Sequence, residues 1–156
     1  MAKQHTYTSK LIWTGNKGSG TMDYRSYDRD FKISMDGKPE ILGSSDSDFL
    51  GDKNKHNPED LLVSAVSSCH MLWYLHLCSK HGIVVMEYYD NAEGIMVEDG
   101  TGSGKFTSIT LRPNVVLADN KQFELAEKLH TEANKMCFIA NSLNFKVNHV
   151  AKFSSI

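Results

Sequence analysis

Asn57-Pro58-Glu59-Asp60-Leu61-Leu62, running on into Ser67-Ser68-Cys69-His70, is the stretch that decides how this chain folds. Asparagine is a favoured N-cap, proline suits the first helical position, and the two acids that follow complement the positive end of a helix dipole. Leu61, Leu62, Ala65, Val66, Cys69, Leu72, Trp73 and Leu77 then recur at i, i+3 and i+4 spacing. Gly82 stands where a helix ending near His81 would stop. The spacing predicts a central core helix with a cysteine on its apolar stripe. Such a cysteine reads either as a small buried hydrophobe or as a rigidly held, reactive thiol.

Outward from this helix the signals alternate. Before it, Tyr7 to Trp13, the turn Gly15 to Gly20 and Thr21 to Tyr27 read as a hairpin, and Phe31 to Met35 reads as a further strand. Gly43 to His56 is polar and turn-rich, a loop that delivers the chain to the helix. After it come strand signals at Ile83 to Tyr89 and Ala92 to Val97, then a turn from Glu98 to Lys105 and the alternating run Phe106 to Val116. A second helix is predicted from about Lys121 to Met136, with Phe123, Ala126, Leu129 and Ala133 on one face. Cys137 sits at its end, where Cys137 to Leu143 begins another short helix, and a last strand covers about Phe145 to Phe153. This order is an α+β pattern with largely antiparallel pairing, in a single domain over 1–156.

The chain's 156 residues suffice for one domain with a substantial core. A formal net charge of -2 gives no electrostatic case for a nucleic-acid partner or a membrane surface. No uninterrupted apolar run approaches the roughly 20 residues that cross a bilayer. Met1-Ala2-Lys3-Gln4-His5-Thr6 lacks the apolar core of a secretory signal, so a cytoplasmic protein is expected. Three cysteines are an odd number in such a chain, so any disulfide is expected to be transient, catalytic or sensing.

Three stretches imitate binding sites. Gly100-Thr101-Gly102-Ser103-Gly104-Lys105 resembles a phosphate-binding loop but is one residue short. It also has Phe106 where Ser or Thr would hold magnesium, and it precedes a strand, so a hairpin turn is predicted. Asp46-Ser47-Asp48 suggests a calcium loop, yet Leu50 and Asn57 occupy positions that need oxygen ligands and a glutamate. Cys69, His70, His76, Cys78 and His81 crowd one helix, but only Cys78 with His81 has a shared-face spacing. Cys69 and Cys78, nine residues apart, point about 180° from each other. Neither a metal nor a cofactor is expected.

Asn57-Pro58-Glu59-Asp60-Leu61-Leu62, Ala65 through Ser68-Cys69, and Cys137-Phe138-Ile139-Ala140-Asn141-Ser142-Leu143 together resemble the OsmC/Ohr family of thiol-dependent organic hydroperoxide reductases. Trp13-Thr14-Gly15, Thr21 and Gly43-Ser44-Ser45-Asp46 are similar to the family's N-terminal half. Asn-Pro-Glu with a cysteine ten positions after the glutamate is the specific element. Many members follow the second cysteine with proline, whereas Phe138 stands here and marks a distinct branch.

The resemblance implies an OsmC-like fold, with antiparallel sheets packed around two main helices in an intertwined homodimer. It implies Cys69 as the peroxidatic thiol, Cys137 as the resolving one, Glu59 as the family carboxylate, and a dithiol reductant such as a lipoylated protein. A thiolate is the attacking species, and a guanidinium held by a carboxylate stabilises it. Arg29 is the favoured guanidinium and Arg25 the second, with Lys53 and Lys55 standing just before Asn-Pro-Glu where other members have arginine. Ten residues at 1.5 Å each put Glu59 about 15 Å along the helix from Cys69. Either a long arginine bridges part of that gap, or the glutamate beside each Cys69 belongs to a second copy. The second arrangement, a homodimer with composite sites, is expected.

Leu72, Trp73, Phe138 and Ile139, with Leu77, are candidates for an apolar substrate pocket, which would favour organic over hydrogen peroxide. Ordinary core packing is the plainer reading of Leu72 and Leu77. His70 points about 100° from Cys69 and reads as a core or interface histidine, and Cys78 as a spectator. Two other functions use the same residues: a thiol redox sensor and a non-catalytic dimer binding a small apolar ligand. No DNA-reading element supports a regulator.

Overall fold

Asn57 caps the helix that the sequence announces. In the computed structural model, which describes residues 3–156, α1 spans Pro58–Lys80. The Asn57 side-chain oxygen accepts the Asp60 N–H at 2.7 Å, and the Asp60 carboxylate accepts the Asn57 N–H at 3.4 Å. This is the reciprocal pattern of a capping box. The Asn57 amide also donates to Asp46 at 3.2 Å, which gives that aspartate a structural role in place of calcium. At the other end Gly82 takes a left-handed φ of 71°. Ile83 N–H then reaches Cys78 O at 2.9 Å and Gly82 N–H reaches Ser79 O at 3.2 Å, a Schellman closure. Met1 and Ala2, the start of the segment read for a secretory signal, lie outside the described residues.

The chain forms two compact units, one ending at Leu61 and the other spanning Leu62–Ile156. In the first, β1 (Lys10–Trp13), β2 (Phe31–Ser34) and β3 (Ile41–Gly43) make an antiparallel sheet in that order. The expected strand over Thr21 to Tyr27 does not form: β1 pairs with β2, and only an isolated bridge joins Asn16 to Tyr27. The cause is Arg29. Its guanidinium takes the carbonyls of Tyr27 (2.6 Å) and Tyr24 (2.5 Å), and it lies over both tyrosine rings, which folds the segment around a cation.

The second unit holds β4 (Val85–Asp90), β5 (Glu93–Glu98), β6 (Gly104–Leu111), β7 (Pro113–Leu117), α2 (Phe123–Met136), β8 (Val147–His149) and β9 (Lys152–Ser155). The runs predicted over Phe106 to Val116 and Phe145 to Phe153 are each two strands, in the sheets β4-β7-β9 and β5-β6-β8. Asp90 makes one of these corners. Its carboxylate takes the Arg112 N–H at 2.6 Å and the Ser67 hydroxyl at 2.6 Å, which holds a backbone donor out of either ladder at the junction of β6 and β7. The pairing is mixed: β6–β8 and β7–β9 are parallel, and β4–β7 and β5–β6 antiparallel. The glycine-rich stretch at Gly100 and Gly102 is the β5–β6 hairpin turn, closed by Asp99 N–H to Ser103 O at 2.9 Å.

Two apolar clusters fill this unit. One gathers Tyr74, Cys78, Ile83, Val115, Leu117, Ala126, Leu129 and Ala133; the other gathers Val66, Ile109, Leu111 and Val147. The buried stripe of α1 is Val66, His70, Tyr74 and Cys78, while Leu72, expected on the core stripe, is 63% exposed. The helix is apolar nearly all round, so helical periodicity fits more than one face. The same property makes α1, by length and composition alone, capable of crossing a membrane. Ser64, Ser67, Ser68, His70 and His76 interrupt its apolar run, so no uninterrupted apolar stretch of that length is present.

Between the helices, His70 and His130 are buried, with His70 Nε2 2.9 Å from His130 Nδ1. Burial holds His70 down to about 4, with repulsion from His149 adding to it. Burial, then His70 and His149, hold His130 down to about 3. On His149 itself burial acts downward, Glu127 opposes it and Lys146 adds to it.

Two outcomes follow for stability. Asn57→Ala removes the cap and should cost about 1 kcal/mol in urea unfolding. Both imidazoles are neutral when folded but titrate near 6.5 once unfolded, so the unfolded chain binds more protons below that pH. Stability should hold level above about pH 6.5 and fall towards pH 4, by about 1.4 kcal/mol per unit for each histidine. Urea midpoints at about pH 7 and about pH 5 check this in a range above ordinary carboxylates, and equal midpoints would contradict it.

Candidate active site

Cys69 lies on α1 one position round from the buried stripe, and is half-buried. Cys137 is fully buried at the end of α2. The helix stops there because Cys137 turns to ψ 109°. The chain then tightens into a 3-10 turn at Ala140–Ser142, with Asn141 N–H on Cys137 O at 3.0 Å. Ala140 N–H points at the Cys137 sulfur, 3.4 Å away.

The two thiols are neighbours. Burial pushes the Cys137 thiol up to about 11, and the neighbouring Cys69 acts in the same direction, with the Ala140 and Ile139 amides opposing. The arrangement is a half-exposed sulfur backed by a protonated one, both reduced. Cys78 is on the opposite side of α1, where burial pushes its thiol up, and it takes no part in this pair.

Trp73, one turn after Cys69, meets the edge of Phe138, which follows Cys137, at 5.6 Å between ring centroids and 85°. A cavity of about 250 Å³ opens among Leu72, Trp73 and His76. Leu72 and Phe138 (68% exposed) thus present apolar surface near the thiols. Ile139 instead packs against the Val66–Ile109 cluster.

The other candidates belong to the first unit. Glu59 is half-buried in the first turn of α1, and its carboxylate makes no ion pair among the described residues. Arg29 is fixed by the two tyrosines, whereas Arg25 is exposed. Lys55 is bound to Asp30 and to Asp52, and the Asp30 carboxylate holds it above the usual lysine range. Lys53 is exposed. Sequence reasoning missed His130 and His149 beside His70. His130 does continue the Ala126–Leu129–Ala133 stripe, which was the available signal.

The burial difference predicts selective labelling. Iodoacetamide at about pH 8 should modify Cys69 first in the folded protein, with Cys78 and Cys137 reacting only on unfolding. Peptide mass mapping reads this out, and first labelling at Cys78 would contradict it.

Comparison with known proteins agrees with this architecture. The family model described as OsmC-like protein matches residues 51–151. The uncharacterized protein YmaD of Bacillus subtilis is 28% identical over 153 residues, which cover 94% of this chain and 91% of that protein. The structure of an OsmC-like protein of unknown function from Vibrio cholerae is 30% identical with a TM-score of 0.86, over 96% of this chain and 100% of that one. An organic hydroperoxide resistance protein from Elizabethkingia anophelis has the same fold at 18% identity and a TM-score of 0.69, over 99% and 100% of the two chains. With a matching family model over most of its length and a 30% identical relative along nearly all of it, the chain belongs to the OsmC-like protein family.

Proposed function

We propose that this protein is a thiol-dependent peroxidase that reduces organic hydroperoxides to alcohols. The observation that carries the reading is the Cys69–Cys137 pair, a half-exposed thiol beside a buried one that burial keeps protonated. Family membership supports the same chemistry, because the family includes organic hydroperoxide resistance proteins.

The Cys69 thiolate attacks the distal oxygen of the hydroperoxide. The O–O bond breaks, the alkoxide takes a proton and leaves as alcohol, and Cys69 becomes a sulfenic acid. Cys137 then condenses with that sulfenic acid, water leaves, and a Cys69–Cys137 disulfide remains. A dithiol, of the kind carried as lipoyl groups on proteins, reduces the disulfide by exchange and is itself oxidised. Leu72, Trp73 and Phe138 receive the alkyl group, each buried methylene contributing about 0.8 kcal/mol; Ile139 stiffens the floor. The whole chain, 1–156, acts as one OsmC-like domain in the cytoplasm, where reductants keep the thiols cycling.

Arg29 serves as the guanidinium that holds thiolate and peroxide, and Glu59 as the carboxylate that orients it. Glu59 and Cys69 are ten residues apart on one continuous helix, about 15 Å along its axis. The glutamate serving each Cys69 therefore comes from a second copy, in an intertwined homodimer with two composite sites.

The test is steady-state consumption of cumene hydroperoxide with dihydrolipoamide. Cys69→Ser should lose at least about a hundredfold in kcat/KM, and Cys137→Ser should consume one equivalent and stop. Activity retained by Cys69→Ser rejects the mechanism. Mixing inactive Cys69→Ser with inactive Glu59→Gln subunits should restore activity, because one site of the mixed dimer is then intact. No recovery after confirmed subunit exchange would place Glu59 and Cys69 of one site in the same chain.

A further inference from the structure

We propose that the buried His70–His130 pair is a positioning element for the thiol chemistry: it locks α1 to α2 in the register that sets Cys137 against Cys69. The proposal rests on the reading of Cys69 and Cys137 as a disulfide-forming pair.

The two imidazoles have an interplanar angle of 0°, a centroid separation of 5.2 Å and an N···N distance of 2.9 Å. Those three values describe coplanar rings joined end to end, the direct line for an N–H···N bond. The bond is enclosed, with His70 1% and His130 0% exposed. Tyr74, one turn beyond His70 on α1, stacks on His130 at 3.8 Å and 7°. His149 of β8 leans on both rings at 5.9 and 5.7 Å. Two side chains of α1 therefore grip one side chain of α2, one from its edge and one from its face.

The grip sits beside the thiols. Cys69 immediately precedes His70, and Cys137 follows His130 by seven residues, two helical turns on the same side of α2. A disulfide needs Cα atoms roughly 4.4–6.8 Å apart, so a slip of half a turn, about 2.7 Å, between the helices is enough to separate the sulfurs. Apolar packing tolerates such slips, but a directional bond does not. His70 Nδ1 and His130 Nε2 have no partner among the described residues. The pair thus carries a desolvation cost that apolar side chains here would avoid, and register is what it supplies in return.

Isosteric substitution separates the roles. Glutamine at this position can still hydrogen-bond His70, and methionine of the same shape cannot. In glutathione buffers, Cys69 attacks glutathione disulfide to give a mixed disulfide and one glutathione. Cys137, losing its proton, then displaces the second glutathione and closes the ring. The equilibrium constant for closure in His130→Met should fall about tenfold or more from wild type, near 30 mV in potential, while His130→Gln stays within about threefold. A purely structural role would lower the melting temperature of His130→Met and leave its closure constant equal to that of His130→Gln, which would overturn the proposal. If His130→Met does not fold, the double variant His70→Leu/His130→Leu, which leaves no unpaired imidazole, carries the comparison with the same outcomes. Absence of any Cys69–Cys137 disulfide in wild type would instead reject the underlying disulfide reading.

Discussion

Burial of one stripe of α1 is the constraint on which the second unit depends. Val66, His70, Tyr74 and Cys78 lie at successive turns, and each is almost wholly enclosed. Cys69 is about 100° off that line and so comes to rest half in and half out of the core. The facing stripe of α2, Ala126, Leu129, His130 and Ala133, runs on to Cys137 at the helix end. One sulfur is thus open to a reagent while the other is kept dry behind it. The same packing that stabilises the unit sorts the two thiols into different environments.

Polar groups then shape what apolar burial leaves undetermined. Asp90 collects the Arg112 amide and the Ser67 hydroxyl and turns a long β run into strands of two sheets. The neutral His70–His130 pair ties helix to helix where aliphatic packing would leave sliding freedom. In the first unit Arg29 consumes the carbonyls of Tyr24 and Tyr27 and keeps that segment out of the sheet. At Asp90 and at Arg29 a side chain competes with the regular backbone pattern for hydrogen bonds, and locally it wins.

These competitions mark the limit of what was legible in the sequence. The ends of α1 were readable because Asn57, Pro58 and Gly82 act through local backbone chemistry. The α+β class and the second helix followed from periodicity. The corner at Arg112 was not readable, since its cause, Asp90, is 22 positions away. The deeper stripe of α1 was hidden because His70, Tyr74 and Cys78 score as weaker core residues than Leu72, which lies outside. At the site, the motif singled out Cys69 and Cys137, which are neighbours in the fold. The histidine pair was half seen, His70 without His130, because a buried imidazole needs a partner that spacing alone does not name.

The most direct measurement of the central claim is thiol mapping after one equivalent of an organic hydroperoxide per chain, followed by alkylation and peptide mass analysis. The account predicts loss of two thiols, one linked peptide joining Cys69 to Cys137, and Cys78 alkylated as before. Three thiols still free, or a link through Cys78, would contradict it.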